Sequence, residues 1–174
     1  MKKEKIFNIP NFVTALRFPL TIFALITLLE EYPVAYPLVF FGLAAFTDFL
    51  DGFFARRYDQ VTRFGERFDQ YADRFTTILF IFGLLAISIQ DLYKVILLFM
   101  ISSREIIGTI GLIIRHFRKK PAYKVEFIGK VQTAIQFVTI CLFLLWVDWI
   151  IYPVFLTFVV GIFAGLSYVM DSLK

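Results

Sequence analysis

The sequence predicts an all-α integral membrane protein with six transmembrane helices and a short N-terminal interfacial segment. Three observations predict it. The 174 residues are 59% hydrophobic with a mean hydropathy of +0.76, whereas a soluble domain is roughly half apolar. The excess is gathered into blocks, each near the ~20 residues a helix needs to cross a bilayer. Charge is spread unevenly around those blocks. With a cytoplasmic N-terminus, Lys94 is the one residue among 18 Lys and Arg that falls outside the cytoplasmic half, a strong positive-inside bias.

Residues 1–10 begin Met1-Lys2-Lys3-Glu4-Lys5 and read as the interfacial segment. A cleaved signal peptide needs a small-residue cleavage site, and Pro10 and Arg17 interrupt that pattern. Apolar segments then run at about 12–31, 34–57, 64–89, 92–115, 127–148 and 151–172. The breaks are Glu30-Glu31-Tyr32-Pro33, Arg56 to Gln60, Gln90-Asp91, Arg115 to Lys124, and Asp148 to Pro153. These connections are too short to hold a second domain, so residues 1–174 are expected to form one membrane domain. The topology puts both termini, and the loops near 60 and 120, on the cytoplasmic face of a plasma or inner membrane. The net charge of +4 favours anionic lipid headgroups, and no nucleic-acid partner is expected. The lone Cys141 sits in an apolar run, which excludes an internal disulfide and a Cys/His metal site.

Four aspartates break the apolar pattern. Asp48 and Asp51 lie near the cytoplasmic end of the second span, and Asp69 and Asp73 near the start of the third. A carboxylate at membrane depth is costly and calls for a cation or a function. Residues three or four apart share one helix face, so each pair presents two carboxylates together. If the two faces meet, four acids converge and repel one another unless neutralised. Hard divalent cations with oxygen ligands do this, Mg²⁺ being usual beside phosphates. Gly52, Ala55 and Gly65 remove bulk around the acids, and Arg56 offers a bidentate phosphate clamp one turn beyond Asp51. The structural alternative is a salt-bridge network with Arg56, Arg63, Arg67 and Arg74. Glu66 lies off the pattern.

Written out, the pattern is D-x-x-D-G-x-x-A-R-x₈-G-x₃-D-x₃-D, from Asp48 to Asp73. It resembles the signature of the CDP-alcohol phosphatidyltransferase family, with every defining position matched. The resemblance implies transfer of a phosphatidyl group from a CDP-linked lipid to an alcohol, with release of CMP. It implies Mg²⁺ or Mn²⁺, two ions per site, held by Asp48, Asp51, Asp69 and Asp73. It gives Asp73 a second role as the base for the acceptor hydroxyl, and places Gly52, Ala55, Arg56 and Gly65 around the CDP moiety. A homodimer is also implied.

The resemblance reaches beyond the motif. Asn8-Ile9-Pro10-Asn11 with Thr14 and Arg17 is similar to the opening of phosphatidylglycerophosphate synthases, which use glycerol 3-phosphate. Ser103-Arg104-Glu105, and Gly129-Lys130 with Thr133 and Gln136, resemble two further elements of those enzymes. Cardiolipin synthases tend to carry serine before the lysine, so Gly129 leans toward the glycerophosphate enzymes. The chain departs from them at Gln70 and Arg74, where proline and lysine are usual, and at Leu112, where an arginine is common. A phosphorylated acceptor needs cations, and Arg104, Arg115, Arg118 and Lys130 are the candidates. Other acceptors within the same chemistry are phosphatidylglycerol, inositol phosphate and serine. A metal transporter with intramembrane acids is the distant alternative. All four acids lie toward one side, and the broken helices and repeats of such transporters are not evident.

Overall fold

The structure, a computed structural model, describes residues 8–117 and 127–173. Among the described residues it is all-helical: α1 (Ile9–Leu29), α2 (Ala35–Arg57), α3 (Arg63–Ser88), α4 (Leu92–Ile101), α5 (Ser103–Phe117), α6 (Phe127–Leu144) and α7 (Ile151–Leu173). They group into two compact units, Met1–Ile87 and Ser88–Lys174. Four helical stretches are long and apolar enough to cross a membrane: Ile9–Leu29, Ala35–Arg57, Phe64–Ser88 and Ile151–Asp171. The protein is thus a multi-pass membrane protein, with two shorter apolar helices at Leu92–Ile101 and Val131–Leu144.

Of the segment expected at residues 1–10, residues 1–7 lie outside the described residues, and Ile9 and Pro10 form the first turn of α1. Asn8 caps that turn by accepting from the Asn11 N–H at 2.9 Å, and proline is tolerated there because its missing N–H would have no helical partner. The expected fourth span, 92–115, is divided at Ser102 into α4 and α5. Ser102 has φ −82° and ψ 1°, and its hydroxyl donates to the Leu98 carbonyl at 2.7 Å. Such back-bonding bends a helix, while the Ser102 N–H keeps its own bond to the same carbonyl at 3.0 Å. The Ile101 carbonyl at the break accepts from Gln136 Nε2 at 3.1 Å. That bond supplies a partner where lipid could not. At ten residues, or ~15 Å, α4 is too short to span by itself.

Within the first unit, the core is built on close approach. Ala24, Ala44 and Ala72 are fully buried, and small residues let backbones come together. Phe41 of α2 stacks on Phe80 of α3 with centroids 4.1 Å apart. Thr21 of α1 and Thr76 of α3 share a hydrogen bond of 2.9 Å. Large apolar side chains such as Phe12, Phe49 and Phe82 point outward, as expected of a surface solvated by lipid. Helix α1 ends with Glu31 at φ 54°. The Tyr32 N–H bonds back to Thr27 O and the Glu31 N–H to Leu28 O, which satisfies the last carbonyls of the helix.

The second unit is tied by buried polar contacts. Gln132 Nε2 donates to the Thr157 carbonyl at 3.0 Å, and the Thr139 and Thr157 hydroxyls lie 2.7 Å apart. Gly165 of α7 packs on Ile107 of α5. A Cβ there would stand 2.7 Å from Ile107 Cβ and 2.9 Å from its Cγ2. Gly165→Val is therefore expected to destabilise the protein by ~1–3 kcal/mol, read as a lower thermal midpoint in detergent. Gly42→Ala, where nothing lies within 4 Å, should show no loss.

Candidate active site

Three helices of the first unit supply the site. On α1 the buried face carries Asn11, Thr14, Arg17 and Thr21, a polar stripe at helical spacing in an otherwise apolar span. On α2, Asp48 and Asp51 lie one turn apart, and Asp69 stands near the start of α3. The N-terminus of α3 is fixed by Thr62, whose Oγ1 accepts from the Gly65 N–H at 3.0 Å.

The helices bring Asp48, Asp51 and Asp69 together, with one carboxylate oxygen of each within 4.8 Å of the others. Facing them is Arg17, which is 1% exposed. Its Nη2 donates to Asp48 Oδ1 and to Asp51 Oδ2, both at 3.0 Å. Its Nη1 donates to Asp69 Oδ1 at 3.1 Å. The Nε makes a longer contact with Thr47 Oγ1 at 3.5 Å. Thr14 Oγ1 lies 2.7 Å from Asp51 Oδ2 and 3.1 Å from the Pro10 carbonyl. With one proton to give, it makes the stronger bond to the carboxylate. Asp73, one turn beyond Asp69, stands within electrostatic reach of the same guanidinium.

The cluster is open on one side. The Asp48 and Asp69 side chains keep 47% and 39% exposure, while Asp51 keeps 6%. Asp51 is therefore the inner wall, and the other two are the oxygens a ligand meets first. An all-oxygen set of this density suits a hard divalent cation, and the guanidinium among the acids shows that the pocket accepts positive charge.

The motif's small residues have identifiable neighbours. The exposed Arg56 folds back over Gly52, where a Cβ would sit 3.3 Å from Arg56 Nη1. Ala55, half-buried, lies one residue before it. A Cβ on Gly65 would sit 2.7 Å from Asn11 Oδ1, so glycine is what lets the Asn11 amide reach the start of α3.

The described ion pairs of the cluster run to Arg17, where the sequence pointed to Arg56, Arg63, Arg67 and Arg74 as the structural alternative. Local spacing drew attention to arginines close in sequence to the acids, whereas Arg17 arrives from a different helix. The polar stripe on α1 was the signal available, since a buried polar face on an apolar helix must meet a partner.

Of the acceptor candidates, Arg104 is described in the second unit. Its Nη1 donates to Thr133 Oγ1 at 2.6 Å, and its guanidinium lies over the Tyr168 ring at 6.0 Å. Glu105 accepts from Gln136 Nε2 at 2.7 Å. The Ser103-Arg104-Glu105 element and the one around Thr133 and Gln136 thus hold each other. Arg118 lies outside the described residues, as do the side chains of Arg115 and Lys130.

The chain matches the CDP-alcohol phosphatidyltransferase family over residues 7–164. It is 34% identical over 145 aligned residues to a CDP-diacylglycerol–glycerol-3-phosphate 3-phosphatidyltransferase of Salmonella choleraesuis, covering 80% of this chain and 78% of the relative. A protein of the same description from Wigglesworthia glossinidia brevipalpis is 34% identical, covering 95% of this chain and 87% of the relative. Another, from Aquifex aeolicus, is 37% identical over 121 residues, covering 66% and 65%. With three of its four motif acids gathered at one site, the chain belongs to the CDP-alcohol phosphatidyltransferase family and is a transferase.

Proposed function

We propose that the protein transfers a phosphatidyl group from a CDP-linked lipid to glycerol 3-phosphate, releasing CMP, with the help of bound divalent cations. The observation that carries this reading is the convergence of Asp48, Asp51 and Asp69 beside Gly52, Arg56 and Gly65. Asp48, Asp51 and Asp69 would hold Mg²⁺ or Mn²⁺, joined by Asp73 for a second ion. The metal would supply charge neutralisation on the diphosphate and polarisation of the attacked phosphorus.

The chain's own residues do the rest. Arg56, lying over Gly52, clamps a phosphate of the CDP moiety, and Gly52, Ala55 and Gly65 border that moiety. Asp73 accepts the proton of the acceptor hydroxyl as that oxygen forms its bond to phosphorus. The bond from phosphorus to the CMP oxygen breaks, and CMP leaves. Arg104, Arg115, Arg118 and Lys130 are assigned to the acceptor's phosphate on their charge chemistry, and the names of the relatives support glycerol 3-phosphate as that acceptor. The charge bias of the loops supports a cytoplasmic site and cytoplasmic termini, and the family resemblance supports a homodimer.

The test is purified protein with CDP-diacylglycerol, Mg²⁺ or Mn²⁺, and a panel of alcohols, with CMP measured. Release is expected with glycerol 3-phosphate and should stop on adding EDTA. No CMP with any acceptor sinks the reading. Turnover with phosphatidylglycerol, inositol phosphate or serine instead would reassign the acceptor and keep the chemistry.

A further inference from the structure

We infer that Arg17 is the resident counter-cation of the carboxylate cluster and competes with divalent ions for its oxygens. The inference rests on the divalent-cation reading above. Arg17 comes from α1 and contacts three acids on two other helices. A simple clamp between two helices needs one such contact. Its two terminal nitrogens are committed to the same three carboxylates whose oxygens lie within 4.8 Å of one another. Asp48 Oδ1 and Asp51 Oδ2 both point at a single nitrogen, Nη2, at 3.0 Å. A divalent ion held by those carboxylates would compete with Nη2 for the same oxygens.

Two cations repel strongly at that range where one of them is as buried as the Arg17 guanidinium. Arg17 cannot relieve the conflict by losing its proton, because a guanidinium stays charged. It yields only by moving. The guanidinium partly neutralises the cluster and supplies the buried Asp51 with a positive partner. Divalent ions enter by displacing the guanidinium, and their affinity is lower than the acids alone would give.

The experiment measures Mn²⁺ binding to the full chain in detergent, without lipid donor, by electron paramagnetic resonance of the free ion. Arg17→Gln is expected to bind Mn²⁺ about tenfold more tightly or better, and Mn²⁺ should raise its thermal midpoint more than that of the wild type. Arg17→Lys, which keeps one charged donor, should fall between the two and serves if the glutamine variant does not fold. Arg17→Ala leaves a space that free guanidinium ion at millimolar concentration should refill, weakening Mn²⁺ binding competitively. Unchanged or weaker Mn²⁺ affinity in folded variants overturns the inference and leaves the divalent reading standing. If neither wild type nor variants bind Mn²⁺, the divalent reading falls and this inference with it.

Discussion

Asp51→Asn should lower CMP release by on the order of 10³-fold or more, the effect expected when charge stabilisation worth several kcal/mol is removed. Asp51 is the most enclosed acid of the cluster, at 6% side-chain exposure. It takes both the Thr14 hydroxyl and Arg17 Nη2 on one oxygen. Asparagine keeps the shape and one acceptor but removes the charge. Mn²⁺ binding should therefore weaken with turnover, and the two can be measured on the same preparation. The fold should survive, because Arg17 retains Asp48 and Asp69 as partners. Wild-type turnover in a folded Asp51→Asn protein would remove Asp51 from the metal site.

Asp73→Asn is expected to separate binding from chemistry. A positioned general base contributes about 10²–10⁴-fold, so kcat should fall within that range. The described cluster consists of Asp48, Asp51 and Asp69, so affinity for the CDP-lipid should change much less. The check is kcat and KM for CDP-diacylglycerol with acceptor saturating. A large rise in KM with kcat preserved would leave Asp73 as a ligand alone and assign the base to another group.

Much of this site was legible in the sequence because its signals are local. Asp48 and Asp51 share a face by spacing alone, and the whole motif lies between Asp48 and Asp73 on two successive helices. The helices themselves follow from apolar runs of spanning length. Less was legible where the outcome depends on competing hydrogen bonds. The run from Leu92 to Arg115 reads as one span, yet the helix bends at Ser102, whose hydroxyl shares the Leu98 carbonyl with its own N–H. Gln136, thirty-five residues away from Ile101, completes that break from another helix, and no window along the chain contains both. Likewise Asn11 reads as part of an opening motif, while its contact with the space at Gly65 exists only once α1 meets α3.

The sequence by itself determined that this is a helical membrane protein of the CDP-alcohol phosphatidyltransferase family, and singled out the acids from Asp48 to Asp73. Periodicity within one helix and a motif of fixed spacing suffice for both. Only the tertiary structure decided what faces those acids. Arg17 meets Asp48, Asp51 and Asp69 across 31, 34 and 52 residues of chain. Helical spacing relates residues on one helix but says nothing of which faces of different helices meet. That choice is made by packing, through the buried alanines, the Phe41–Phe80 stack and the Thr21–Thr76 bond that bring the three helices together.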